Sequence, residues 1–272
     1  MNIGLIGAEN SHAATFCQIY NGEKKHPGFT VTHVYGADSA EACAKLCAEY
    51  ALTECRSEED VIRACDALVI TYRKGSLHYA PAMEALRAGK AVFNDKPFAT
   101  SAAQAREIAD YAAKNHLLLC GGSNVKSLPG LGPVAELIGP GATVMISFCA
   151  DPKSEYDGFW FYGIHSVEVC VKLLGLDYKA VSACRNGESV IASVSYGDKR
   201  CVIVNTPDAS DLNISVMGEN TSATHFIPMD YAAIGPNQFA DMIRTGKPPY
   251  GYDFYAGAVG LLEEIIAQAG LA

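Results

Sequence analysis

The stretch "NIGLIGAENSHAATFCQIY", residues 2–20, decides how the first part of the chain is read. Residues 2–6 form a short strand pattern, Gly7 opens a tight turn, and residues 13–20 place Phe16, Ile19 and Tyr20 on one helical face. A strand, a turn and a helix in this order predict a dinucleotide-binding unit. The G-x-G-x-x-G fingerprint would put glycine at positions 9 and 12, where this chain has Glu9 and His12. Those glycines allow a tight turn, close approach of backbone to pyrophosphate, and close helix–strand packing. Glu9 brings a negative charge to the place where phosphate approaches, and His12 fills the packing position. Asn10 and Ser11 can cap the helix, so an anion site of altered geometry is expected at its start. Gly7, Glu9, Asn10, Ser11 and His12 are the candidate cofactor contacts of this loop.

Working outward, strands and helices alternate. Residues 29–35 are rich in β-branched side chains and end at Gly36. Residues 39–50 carry apolar positions at helical spacing, and Asp38 before them is a candidate for the adenosine ribose hydroxyls or, equally, for a helix cap. Residues 67–71 are a continuous apolar run ending in Thr71, as in a strand buried on both faces of a parallel sheet. A helix over 79–88 stops at Gly89, a strand covers 91–93, a helix 101–115, and a further strand 117–120. This predicts a doubly wound sheet with right-handed crossovers. From about Pro140 the pattern changes to strands at 143–149, 189–196, 200–205, 212–217 and 223–228, with helices at 164–174 and 254–269. That is an α/β domain with an open, mostly antiparallel sheet. The expected boundary lies near Gly121-Gly122, giving domains 1–121 and 122–272.

Composition narrows the function classes. The chain has 272 residues, 49% hydrophobic, and a net charge of −9, which argues against nucleic acid. No uninterrupted apolar run would cross a bilayer and no secretory signal opens the sequence, so no membrane partner is expected. Ten cysteines occur without a C-x-x-C pair, so no metal site is expected. They read as small buried hydrophobes in a reducing cytoplasm.

Three stretches together resemble the Gfo/Idh/MocA oxidoreductase family. The first runs from Asp66 to Ala112 and includes Ile70-Thr71, His78, Ala88-Gly89-Lys90, Val92-Phe93 and Asp95-Lys96-Pro97, the last standing where the family has E-K-P. The second, "YGIHSVEVCVKLLG" at 162–175, is similar to the family's D-x-G-x-H-x-x-D helix start, and the third is the closing segment from Asn237. The resemblance implies an N-terminal Rossmann domain and an open sheet that covers the cleft and mediates assembly into a homodimer or homotetramer. It implies NAD or NADP, with NAD favoured, held by the opening loop together with Asp38, Thr71, His78, Asp95 and Lys96. It further implies a sugar, inositol or related polyol as substrate.

Physical roles follow for the residues so matched. Lys96 at a strand end can hold a substrate hydroxyl and favour its alkoxide. His165 near a helix start carries a group that titrates near neutrality. The family has an aspartate four residues before this histidine; this chain has Phe161. Glu168, one helical turn on, and Tyr162 are the candidates to complete a proton relay, with Lys172 an alternative partner for Glu168. The aromatic run from Phe159 to Tyr162 suits either a sugar-sized pocket or a packed core. Three functions stay open at this point: a dehydrogenase acting on CH–OH, a redox-assisted lyase or glycosidase with tightly held NAD, and a non-catalytic ligand-binding protein.

Overall fold

The computed structural model describes residues 1–271, which form two compact units, each built on a six-stranded sheet. The first unit comprises Met1–Ala99, Ala103–Gly122 and Ala232–Ala256. Its elements in chain order are β1 (Asn2–Ile6), α1 (Ser11–Cys17), β2 (Thr30–Tyr35), α2 (Ala40–Tyr50), β3 (Thr53–Glu54), α3 (Glu58–Ala64), β4 (Ala67–Ile70), α4 (Tyr79–Arg87), β5 (Ala91–Asn94), α5 (Ala102–Lys114) and β6 (Leu119–Gly121). The strands are all parallel in the order β3-β2-β1-β4-β5-β6. The direction of winding reverses between β1 and β4, the switch point at which open α/β sheets hold ligands. Every residue of β4 is buried, as its unbroken apolar run requires.

Register places the site. Ile6 pairs with Tyr35 and with Ile70, Ile70 with Asn94, and Asn94 with Gly121. The residues that follow these ends, Gly7, Thr71 and Asp95 among them, therefore line one edge of the sheet. Gly7 has φ +96°, and a Cβ there would lie 2.6 Å from the Tyr72 amide nitrogen, so the crossing of β1 and β4 admits only glycine. Gly121 is as constrained, with φ +136° and the Asn94 carbonyl oxygen 1.8 Å from where its Cβ would be.

The second unit comprises Thr100–Ala102, Ser123–Tyr231 and Gly257–Ala272. It holds α6 (Leu131–Glu136), β7 (Thr143–Cys149), α7 (Trp160–Leu174), β8 (Ala180–Asn186), β9 (Ser189–Tyr196), β10 (Lys199–Thr206), β11 (Leu212–Gly218) and β12 (Thr221–Ile227). The order is β12-β11-β7-β10-β9-β8, with β7 and β10 parallel and all other neighbours antiparallel. Side chains alternate strictly: Val144, Ile146 and Phe148 are buried while Met145 and Ser147 are not. Helix α7 packs against β7 and β10. It starts four residues before the expected 164, because the aromatic run at 159–162 is its first turn and not a loop.

The division differs from the expected 1–121 and 122–272. Helices α8 (Ile234–Thr245) and the start of α9 (Tyr252–Gln268) belong to the first unit. Phe239 of α8 meets the rings of Phe16 and Phe93, and the Tyr20 hydroxyl donates to the Pro236 carbonyl at 2.6 Å. Strands β3 and β8 and helices α3, α6 and α8 were not expected. The cysteines are all free thiols, but Cys47, Cys55 and Cys149 are half-buried and Cys184 is exposed, against the expectation of burial. Cys184 lies on β8, an edge strand covered on one side only. Among the described residues no helix is long and apolar enough to cross a membrane.

Candidate functional site

In the first unit the opening loop is organised by side chains where glycines are missing. Asn10 caps α1, its Oδ1 accepting from the His12 amide at 3.1 Å. The same Asn10 donates through Nδ2 to Asp95 Oδ2 at 3.1 Å, and His12 Nδ1 meets that oxygen at 2.7 Å. His12 thus occupies the third-glycine position and uses it to join the loop to the end of β5. Asp95 is fully buried, and its Oδ1 has no hydrogen-bond partner in the structure. Burial pushes its carboxyl up, yet the charge and hydrogen bond of His12, with Lys96 and His78 behind, bring it below the usual carboxylate value.

Asp38 shows how the loop amides are directed. Its carboxylate accepts from the Ala8 amide at 2.9 and 3.0 Å and from the Glu9 amide at 3.0 Å. It does not cap α2; Ser39 does, accepting from the Ala42 amide at 3.2 Å. These bonds tie the opening loop to the residue that follows β2 and its turn. Beside it, past the ends of β2 and β3, opens a cavity of about 560 Å³ lined by Tyr35, Ala37, Glu54, Cys55 and Arg56. The arrangement suits a dinucleotide, whose ribose hydroxyls would meet Asp38 beside this cavity.

Two other matched residues are braces. Thr71 Oγ1 donates to the Gly7 carbonyl at 2.8 Å, locking β4 to the loop. His78 is expected to touch the cofactor, but it is fully buried with Nδ1 2.7 Å from the Pro97 carbonyl and Nε2 2.8 Å from that of Tyr72. Both ring nitrogens are taken by the protein, so His78 fixes the turn around Lys96 and offers nothing outward. Burial drives its pKa down, against the pull of those carbonyls. Lys96 is itself buried, next to the edge residue Asp95 and joined to Pro97 by a cis peptide.

In the second unit, one face of α7 carries a buried polar network. His165 Nδ1 lies 2.6 Å from Ser123 Oγ, and its ring stands edge-on to Phe148 at 5.7 Å with Tyr162 at 5.0 Å. Glu168 Oε2 accepts from the Ser123 amide at 3.0 Å and pairs with the Lys126 ammonium at 2.8 Å. Lys126 also donates to the Ser123 carbonyl at 2.8 Å. Glu168 therefore bears on His165 through Ser123, and its charge is matched by Lys126 at a distance no i+4 partner was needed to supply. Ser123 and Lys126 were missed in the sequence because Gly121-Gly122 reads as a linker. The available signal was position: "SNVK" follows a strand end of the parallel sheet, where ligand-site residues collect.

Comparison with known proteins agrees with this architecture. Residues 1–122 match the model of the oxidoreductase family with an NAD-binding Rossmann fold. An uncharacterized oxidoreductase of Streptococcus pneumoniae is 30% identical over 135 residues, 49% of this chain and 36% of the relative's length. The match thus spans about a third of that relative. Among solved structures, a putative myo-inositol dehydrogenase from Sinorhizobium meliloti is 19% identical with a TM-score of 0.79, covering 99% of this chain and 97% of that one. The biliverdin reductase of Synechocystis, solved with biliverdin and NADP+, is 15% identical with a TM-score of 0.77, covering 99% of each chain. At these identities the likeness is one of fold.

Proposed function

We propose that this protein is an NAD(P)-dependent oxidoreductase acting on a hydroxyl, or the corresponding ketone, of a sugar, inositol or related polyol. The observation that carries the reading is the joined edge of the parallel sheet: the opening loop tied to Asp38, and Asp95, the neighbour of Lys96, held against that loop by His12. The bound nicotinamide supplies hydride exchange. Lys96 holds the reacting oxygen and favours its alkoxide form. His165, steadied by Ser123, Glu168 and Lys126, is the second group assigned to that oxygen, and Tyr162 walls the ring. NAD is favoured over NADP because the Asp38 carboxylate stands beside the loop, where a 2′-phosphate would meet like charge. The open face of the antiparallel sheet, which exposes Met217 and Phe226, is the surface assigned to a homodimer or homotetramer, read out by light scattering.

Calorimetric titration with NAD, NADH, NADP and NADPH tests the core of this reading; no heat with any of them at millimolar concentration would overturn it. A panel of inositols, free sugars and nucleotide sugars, with a linear tetrapyrrole as the contrasting class, then fixes the substrate by cofactor absorbance. Lys96→Ala and His165→Ala are each expected to lower the rate roughly a hundredfold or more. Activity within a few-fold of the unsubstituted protein removes that residue from the mechanism.

A further inference from the structure

We propose that Asn124 is a substrate-binding residue, whose side-chain amide takes an unreacting hydroxyl of a polyol held beside His165. The proposal rests on the assignment of His165 to the substrate given above and names how that site recognises it.

Buried side-chain amides in this chain are otherwise tied into the fold. Asn94 donates to the Phe98 carbonyl at 2.8 Å, and Asn205 to the Phe148 carbonyl and the Ser166 hydroxyl, both at 2.9 Å. Asn124 is buried as well, with 5% of its surface exposed, yet its side-chain amide makes no hydrogen bond among the described residues. Buried polar groups are almost always paired, and one left unpaired destabilises the fold. The oxygens of Asn94 and Asn205 that lack a partner are sealed from solvent; neither polar atom of Asn124 is. The Asn124 amide thus faces the small opening that the residue keeps, where a ligand can reach it.

Its place in the second unit ties it to His165. Asn124 begins the 3-10 turn Asn124–Ser127, which packs against α7. Ser123, just before it, caps that turn by accepting from the Val125 amide at 3.1 Å, and the same Oγ lies 2.6 Å from His165 Nδ1. The Ser123 amide donates to Glu168 of α7 and its carbonyl accepts from Lys126, so the backbone entering Asn124 is gripped from both sides. A side chain carried on so fixed a backbone meets its ligand with little reordering, as a selective contact requires.

The chemistry of the amide sets the class of its partner. A carboxamide offers an acceptor oxygen and two donor hydrogens. An alcohol hydroxyl both donates and accepts, so one hydroxyl, or two on neighbouring carbons, meets both ends. A carboxylate, phosphate or ketone only accepts and would leave Oδ1 bare. The contact is a hydrogen bond alone, and no bond forms or breaks at Asn124.

The test is Asn124→Leu in the full-length protein, a side chain of similar size without polar atoms. Since the native amide binds nothing within the chain, the melting temperature should stay level or rise. In the unsubstituted protein without ligand, the Asn124 amide protons, assigned by their loss in Asn124→Leu, should exchange with water roughly tenfold faster or more than those of Asn94 and Asn205. With myo-inositol, or whichever polyol of the panel above is turned over, Asn124→Leu should raise KM roughly tenfold or more. It should also lose the discrimination against one monodeoxy analogue that the unsubstituted protein shows. A lowered melting temperature, or exchange as slow as that of Asn94, reveals a partner inside the chain and overturns the proposal. An unchanged KM with discrimination intact overturns it too. Failure of the unsubstituted protein to bind or turn over any polyol defeats the functional reading and the hydroxyl assignment together, and is told apart because no substitution is involved.

Discussion

The opening loop of the first unit and the α7 network of the second each depart from the pattern they resemble, and each holds a paired basic and acidic side chain. In the loop, His12 faces Asp95, with the His12 side chain 14% exposed and that of Asp95 fully buried. In the network, Lys126 faces Glu168, at 1% and 0%. The chemistry is alike, while the access to water is not. When Asp95 is lost the partly solvated His12 recovers hydration, whereas loss of Lys126 leaves the Glu168 charge bare in a medium of low dielectric. The comparison teaches that Asp95 can be neutralised at modest cost, while Lys126 cannot be removed so cheaply.

The sharpest way to break this contrast is Lys126→Met, which strands the Glu168 carboxylate. It should destabilise the fold by about 3–5 kcal/mol in denaturant melts, and adding Glu168→Met should recover most of that loss. A cost under about 1 kcal/mol for the single substitution would erase the distinction between the two pairs.

Asp95→Asn acts on the milder pair and should cost about 2 kcal/mol at neutral pH, as for a lost hydrogen bond to a charged group. Its pH dependence carries the sign. The Asp95 carboxyl titrates below its ordinary value in the folded protein, so the unfolded chain takes up this proton first as pH falls. Its contribution is whole above the ordinary carboxylate value near ~3.9 and is lost as pH drops through the lower folded value. Melting temperatures from pH 7 to 3 should therefore fall less steeply below about pH 4 in Asp95→Asn than in the parent. Identical slopes would show that His12 does not hold this carboxylate.

The smallest effect belongs to Glu9→Gly, which removes a like charge from the phosphate approach. Dinucleotide affinity should rise by about 1 kcal/mol in calorimetry, roughly fivefold. A weaker complex would mean that Glu9 helps to order the loop.

Much of this was legible in the residues. The apolar runs of β1, β4 and β5 and the turn at Gly7 announce the parallel sheet, because each run is almost wholly buried. Strand β3 escaped because it has two exposed residues and no pattern. Helix α8 has a clear apolar face, but periodicity cannot say which sheet that face will cover. Asp38 was recognised as an acidic residue in the right place, yet its bonds to Ala8 and Glu9 depend on the crossing of two strands. Lys126 was passed over since a lone lysine after two glycines reads as solvated; only the fold reveals that a carboxylate on a later helix buries it.

The return of α8 to the first unit bears on how the protein is made. A ribosome releases residues 1–122 with Phe16, Tyr20 and Phe93 already in place, but the ring that closes over them, Phe239, belongs to the segment Ala232–Ala256. While β7 to β12 are synthesised, one flank of the parallel sheet stands uncovered, an apolar surface of the kind that chaperones bind. Truncation after Gly122 would make that interval permanent, so the nucleotide-binding half should not survive expression on its own, although its six strands are contiguous in sequence. A version carrying residues 232–256 on a short linker should restore it.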